Sequence, residues 1–394
     1  MNTTHTEVVI IGAGAAGLMC AISAAEKGKQ VYLLDHASKA GKKILISGGG
    51  RCNFTNMYTE PDNYLSDNPH FCKSALNRYT PWDFIAEVDK AELPWHEKKL
   101  GQLFSDNKSQ AILDMLLDRC EALGIHIVLN CHIKTVRQVD QHFFINSANS
   151  EYHCASLVIA SGAMSFPTMG ATDFGHRLAK QFGLNVTRTY PGLVPLTFNA
   201  KEKAQFSGLS GISVDAEIEV NNMSFRENIL FTHKGLSGPA VLQISSYWNP
   251  GDKITVRCLP DIDIFSELKH KQQFQAKKHL HTTLQSYMPL SVIQCLCEGI
   301  DLQKPLHNYK PTDLQAIAQL IQQWQFIPSG TEGYKKAEVT CGGVATSDIS
   351  SKTFEAKKVK GLYFIGEVLD VTGQLGGFNF QWAWASGFCC GKAL

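Results

Sequence analysis

What this chain lacks narrows its reading before any motif is considered. It carries twelve cysteines but no CxxC pair, and only Cys295/Cys297 and Cys389/Cys390 stand close together. That argues against a zinc site or dithiol redox centre of ordinary spacing, so no metal ligands are assigned. No basic leader segment precedes an apolar core at the N-terminus. The cysteines are therefore expected as reduced thiols in a cytoplasmic protein. Neither sign of charge is in excess, with 37 Lys and Arg against 36 Asp and Glu, so bulk charge neither supports nor excludes a polyanionic partner. Internal repeats and low-complexity runs are absent. One uncharged stretch, Val8 to Ala25, is long enough to cross a membrane, but its three glycines and strand-then-helix pattern argue against a span. With 394 residues, 44% hydrophobic and 19% charged, the chain has an ordinary globular composition and room for two or three domains.

The stretch from Glu7 to Asp35 is what the rest is organised around. Val8 to Ile11 is a short apolar run, as a strand buried on both faces requires. Gly12-Ala13-Gly14-Ala15-Ala16-Gly17 follows, then a helical pattern to about Lys27, and Val31 to Leu34 reads as a second buried strand. In such a βαβ unit Gly12 permits the tight turn. Gly14 lets the backbone near a pyrophosphate, and Gly17 lets the helix pack on the strand. The helix N-terminus at Ala15 and Ala16 would present amide hydrogens to that pyrophosphate. Asp35, 18 residues after Gly17, stands where a carboxylate takes a ribose hydroxyl. This fingerprint alone does not choose between NAD and FAD.

Gly41 to Asn56, GKKILISGGGRCNFTN, comes next. Three consecutive glycines carry a large entropy cost and suggest backbone pressed against a ligand. Lys42, Lys43 and Arg51 are candidates for the pyrophosphate. Asn53, Thr55 and Asn56 are candidates for a ring edge, and Gly50 and Cys52 for contact with the cofactor; a mobile surface loop is the plainer alternative. Phe71 to Lys90 and Ser109 to Leu123 read as amphipathic helices. Ile125 to Leu129, His132 to Val139 and His142 to Asn146 read as strands, followed by Cys154 to Ala160 and the turn at Gly162. A β-meander feeding such a strand is a layout of glutathione-reductase-like FAD domains.

The pattern changes at Pro191. Alternating residues such as Val214, Ala216, Ile218 and Val220 indicate an inserted β domain, 191–260 with 325–336. Within it, Phe231 to Pro239 is either a ligand-facing loop, with His233 at its centre, or a plain hairpin connection. Residues 261–324 read as a helical domain, with Thr312 and Gln315 as a capping box. The run Lys269 to His281 is locally basic: at helical spacing Lys271 and Lys278 share one face and His270, Lys277 and His281 another. It is either a solvated face or a nucleic-acid contact. At Ala337 the flavin-type pattern resumes, so 1–190 and 337–394 form one domain. Leu362 to Glu367 reads as a strand ending in a Gly366-Glu367 turn that would reach a ribityl chain. Gly377, Phe378 and Asn379 open a last helix aimed at a flavin pyrimidine edge. These features favour FAD over NAD, and any NAD(P)H must bind without a second fingerprint.

GKKILISGGGRCNFTN, VIASGAMSFPTMGATDFGHRLAKQFG, FTHKGLSGPA, AEVTCGGV and GLYFIGEVLDVTGQLGGFNFQWAWASG together resemble the bacterial BaiN-like, or aminoacetone-oxidase-like, FAD-dependent oxidoreductases. The resemblance covers nearly the whole chain. It implies an α/β, Rossmann-like FAD domain interrupted by a β-barrel-like domain and a small helical domain. It also implies hydride transfer from reduced flavin to a conjugated C=C, with uracil in ribosomal RNA as the most specific substrate. A small-molecule amine oxidase and a flavin-bearing RNA-binding or electron-carrying module are the alternatives. NAD(P)H is the expected electron donor. Cys341, ahead of Cys52 and His233, is the candidate proton donor, with a buried structural cysteine as the plain alternative.

Overall fold

The apolar run that ends at Ile11 becomes the centre of a parallel sheet. β1 (Asn2–Ile11) pairs with β2 (Val31–Leu34) from Val8↔Val31 to Ile11↔Leu34, and on its other side with Ser150–Ile159. Between β1 and β2 the chain forms α1 (Ala15–Ala25). In this computed structural model residues 2–394 are described, and they divide into two units, 2–190 with 339–394 and 191–338.

In the first unit His126–Val128 extends the parallel sheet beyond β2. It is therefore not one of a trio with the two strands that follow it. The meander is built instead from Ile133–Val139, His142–Ser147 and the first half of Ser150–Ile159, all antiparallel. The second half of Ser150–Ile159 takes Leu362–Phe364 as a parallel neighbour. This is a Rossmann-like fold with its meander fused to the main sheet. The expected helix over 71–90 is two, Lys73–Arg78 and Pro81–Lys90. Pro81 has no N–H to donate and forces Thr80 into an extended conformation, so the first helix must end before it.

The last helix, Phe378–Ala393, is buried on nearly all sides, as a helix apolar all round should be. It lies against α1 through glycines. A Cβ on Gly387 would sit 2.5 Å from the Ala16 carbonyl, and one on Gly391 2.6 Å from that of Cys20. Trp384 has no exposed surface, stacks on Phe84 (4.4 Å between centroids) and donates its indole N–H to the Phe54 carbonyl (2.8 Å). Truncating such a tryptophan to alanine costs about 3–5 kcal/mol.

The second unit has its own core around a seven-stranded antiparallel sheet. Val214, Ala216, Ile218 and Val220 all face inward, as their alternation requires. The two edge strands, Trp324–Phe326 and Gly330–Thr331, follow each other in the chain, which draws the sheet's ends together. Its longer helices are Ile264–Phe274 and Pro311–Gln322. The latter starts two residues earlier than a Thr312 cap would give. Pro311 takes the first helical position and Asp313 accepts the Lys310 N–H (2.8 Å). The helix carrying the basic run stops at Phe274, so Lys277, Lys278 and His281 do not continue its faces. Residues 278–281 instead run alongside 302–306, with Leu306 N bonded to Lys278 O (2.9 Å) and Leu280 N to Lys304 O (3.1 Å).

Candidate functional site

The glycine turn after β1 has a consistent steric logic. A Cβ on Gly17 would lie 1.8 Å from the Gly12 carbonyl, so helix and strand meet only because it is absent. A Cβ on Gly14 would meet nothing within 4 Å, so the turn opens outward there, and no side chain caps the α1 N-terminus. Ala15 is half-buried and Ala16 buried behind it. Asp35 closes the turn: its carboxylate accepts the Ala13 N–H (2.7 Å) and the Ala37 N–H (2.8 Å). Those bonds use two of about four lone-pair positions, which leaves acceptor capacity for a ribose hydroxyl.

The two helix N-termini belong to one arrangement. Gly387 touches Ala16 and Gly391 touches Cys20, so α1 and the last helix ascend together, in parallel. From those contacts back to the first residues, Ala15 and Phe378, the last helix projects further by eight residues, about 12 Å at 1.5 Å per residue. Both N-terminal ends lack side-chain caps and point the same way. One long anion-bearing ligand can therefore meet the first end with its pyrophosphate and the second with a remote ring. A dinucleotide carrying a flavin on a ribityl chain fits that spacing.

Several side chains expected to touch a cofactor are engaged with the protein instead. Lys43 Nζ pairs with Glu367 Oε2 (2.6 Å) and bonds Ser165 Oγ (2.6 Å). Glu367 Oε1 accepts from Ser165 Oγ (2.9 Å) and the Thr340 N–H (3.0 Å), and Thr340 Oγ1 accepts the Met164 and Ser165 N–H groups. Gly162 adjoins this knot, 3.6 Å from Glu367 Oε2 at its notional Cβ. The Gly366 N–H is held by Ser386 Oγ (3.1 Å) and its carbonyl by Trp382 Nε1 (3.1 Å), so it anchors the last helix and has no amide to offer a ribityl chain. Lys42 donates to the Met169 carbonyl (3.3 Å).

The polar run after the three glycines has the same fate. With its amide turned so that both atoms are satisfied, Asn53 donates to Leu103 O and Thr55 O and accepts the Gly377 N–H (3.2 Å). Thr55 Oγ1 donates to Gln381 (2.7 Å), and Asn56 donates to Gly376 O (2.9 Å). Together they fasten β3 (Asn53–Asn56) along the start of the last helix. Asn379 closes its own turn through Gly373 (2.7 and 2.9 Å), and Phe378 is buried with its carbonyl accepting from Tyr64 Oη. Buried polar groups require partners, and these find them within the protein. What remains outward is backbone and one cation: Gly49 and Gly50, both left-handed with open space where a Cβ would be, and exposed Arg51.

Of the three proton-donor candidates, Cys52 has no exposed surface, and burial pushes its thiol up to about 12. Burial alone does not set it apart, because Cys341 is as deeply buried. His233 is exposed in the turn between Met223–Phe231 and Gly235–Ser237, where Thr232 Oγ1 accepts the Gly235 N–H (3.1 Å) and Lys234 pairs with Glu332 (2.9 Å). The stretch connects two paired antiparallel strands, Leu230↔Ser237 and Phe231↔Leu236. Cys341 is buried in the short strand Val339–Cys341 and shares a hydrogen bond with Tyr190, whose hydroxyl is held well above its usual range by burial and then by that thiol. Asp370, buried nearby in the same unit, accepts the Asp67 N–H (3.0 Å), and burial raises its carboxyl.

One residue carried no motif signal. Glu338, immediately before that strand, keeps a side chain in contact with water. Crowding by neighbouring atoms pushes its carboxyl upward, and its contact with water opposes that push. Its only trace in the sequence is its place in AEVTCGGV. Among the described residues no cluster of three or more His, Cys, Asp or Glu is placed to hold a metal, and no helix is long and apolar enough to cross a membrane.

Comparison with known proteins accords with this geometry. The family described as HI0933-like protein Rossmann domain matches residues 6–393. The chain is 48% identical over 390 residues to the ribosomal RNA dihydrouridine synthase of Escherichia coli K12, with 98% of each chain covered. It is 44% identical over 396 residues to the protein of that name from Haemophilus influenzae, covering 99% of this chain and 98% of the relative. Among solved structures it is similar to the 3-ketosteroid-Δ4-(5α)-dehydrogenase of Rhodococcus jostii RHA1, at a TM-score of 0.50 and 14% identity, over 98% of this chain and 97% of that one. The chain belongs to the HI0933-like family.

Proposed function

We propose that this member of the HI0933-like family is an FAD-dependent oxidoreductase that reduces the C5=C6 bond of a uracil in ribosomal RNA. The observation that carries the reading is the end-to-end likeness, 48% identical over 98% of both chains, to a protein named for dihydrouridine formation. The cofactor is supported by the two parallel, uncapped helix ends. Bound there, FAD supplies a two-electron hydride source for a C=C conjugated to a carbonyl.

The chain's own residues then have separable tasks. The amides at Gly14 to Gly17 take the pyrophosphate, and Asp35 takes a ribose hydroxyl. The backbone at Gly49, Gly50 and Arg51 borders the ring, and the first turn of Phe378–Ala393 favours negative charge on the pyrimidine edge. Lys43, Ser165 and Glu367 hold Thr340, and so fix the strand that carries Cys341. Reducing the double bond takes one hydride and one proton. Cys341, bonded to Tyr190, is the group proposed to give that proton. Residues 191–338 are proposed as the substrate-recognising part, its β portion 191–260 with 325–336 and its helical portion 261–324. Lys269, Lys271, Lys277 and Lys278 are proposed to meet RNA phosphates, and NAD(P)H to supply the electrons.

The test compares ribosomal RNA from cells with and without the gene. A dihydrouridine that disappears with the gene and returns with the wild-type copy is the expected result. Unchanged dihydrouridine, together with rapid oxidation of a small amine by the purified protein, would overturn the reading.

A further inference from the structure

The strands Trp95–Glu97 and Gln102–Ser105 form a hairpin whose tip has no role so far. Lys98 N bonds Gln102 O and Gln102 N bonds Lys99 O, each at 3.0 Å, closing the turn. Leu100 and Gly101 sit there in the left-handed region, at φ 51° and 74°. Such positions suit glycine or asparagine, and a leucine in one is strained. Leu100 is nevertheless 63% exposed, so burial does not account for it. Strain of this kind persists where a surface has work to do.

Tyr58, 64% exposed, stands beside it. A Cβ on Gly101 would come within 2.6 Å of its ring, so the glycine gives the ring its seat. One buried side chain fixes the group. Asn56 accepts the Tyr58 N–H (2.9 Å) and donates both to Leu100 O (3.0 Å) and to Gly376 O (2.9 Å), just before the last helix. Lys98 and Lys99 are exposed on the turn, with Lys98 Nζ 5.4 Å from the Phe104 ring centre. The carboxylate beside them, Glu97, accepts the Gly101 N–H (3.0 Å). An exposed ring, an exposed aliphatic wedge and two cations thus lie one amide away from the proposed flavin end.

We propose that this tip holds the single-stranded RNA that flanks the target uracil. Tyr58 stacks on a neighbouring base, Leu100 fills the step left by the extracted base, and Lys98 and Lys99 meet phosphates. The inference rests on the RNA reading above. A small neutral substrate would have no use for such a platform.

The test uses the reduced holoenzyme and ribosomal RNA from cells lacking the gene. Tyr58→Ala should raise the KM for RNA about 5- to 150-fold, the range for losing one stacked base, while Tyr58→Phe keeps the ring and stays near wild type. Leu100→Gly should slow RNA reduction without lowering the melting temperature, a split that a purely structural residue would not show. Changing Lys98 and Lys99 to alanine should reduce the slope of log affinity against log salt by about 1.4. Flavin content and reoxidation by ferricyanide should be unchanged in all four. If the wild type reduces RNA and Tyr58→Ala does so with the same KM, the tip is not the surface, although the RNA reading stands. A wild type that reduces no RNA overturns that reading and the tip with it.

Discussion

Replacing Asp35 by asparagine separates two roles that one carboxylate can have. In the structure its oxygens accept amide hydrogens from opposite sides, Ala13 in the glycine turn and Ala37 after β2. An asparagine can accept on one side only; on the other its NH2 would face an N–H. One hydrogen bond to a charged acceptor, about 1.5–3 kcal/mol, is lost. The surviving bond becomes neutral, so the total is about 2–4 kcal/mol. For a folding unit of this size that lowers the melting temperature by roughly 4–16 °C. The decisive assay is thermal unfolding of the protein both stripped of flavin and loaded with it, with flavin affinity measured by fluorescence titration. If Asp35 fastens the turn, the stripped protein itself melts lower and the affinity falls as well. A stripped protein that melts like wild type would refute this reasoning and leave Asp35 as a ribose ligand alone.

Further outcomes follow from the same contacts. Lys43→Ala leaves Glu367 and Ser165 without their cation; since the pair is neither fully buried nor free, a loss of about 1–3 kcal/mol in denaturant unfolding is expected. Cys341→Ala should leave flavin reduction by the electron donor intact but slow reoxidation by RNA at least tenfold, about 1.4 kcal/mol of barrier; equal reoxidation rates would return Cys341 to packing. Glu338 makes a pH prediction. Crowding pushes its folded carboxyl above the ordinary range, so in the window just above that range the native state binds more protons than the unfolded one. Stability therefore falls as pH rises through that window, and Glu338→Gln should flatten the slope in melts recorded from pH 5 to 8. Cys52→Ala should retain turnover, measured with RNA under single-turnover conditions, because burial lifts its thiol far above the range in which it could exchange a proton near neutrality.

The sequence by itself determined the βαβ unit, and a change of pattern near Pro191 and again near Ala337 is legible in it, because each is written in local periodicity. A strand buried on both faces needs an apolar run, and a helix that touches a strand needs a glycine at Gly17. It also carried the signals that split the helix over 71–90, since Pro81 is visible without any structure. What only the tertiary structure decided is which polar side chains remain available to a ligand. Lys43 reads as a phosphate cation until Glu367 arrives from 324 residues away, and Asn56 as a ring donor until Gly376 arrives from 320. The same holds for the cysteines: both Cys52 and Cys341 prove buried, and what sets Cys341 apart is the hydrogen bond with Tyr190, 151 residues away in the chain. Periodicity is a property of neighbours along the chain. Hydrogen-bond partners and desolvation are properties of neighbours in space, and those exist only once the chain has folded.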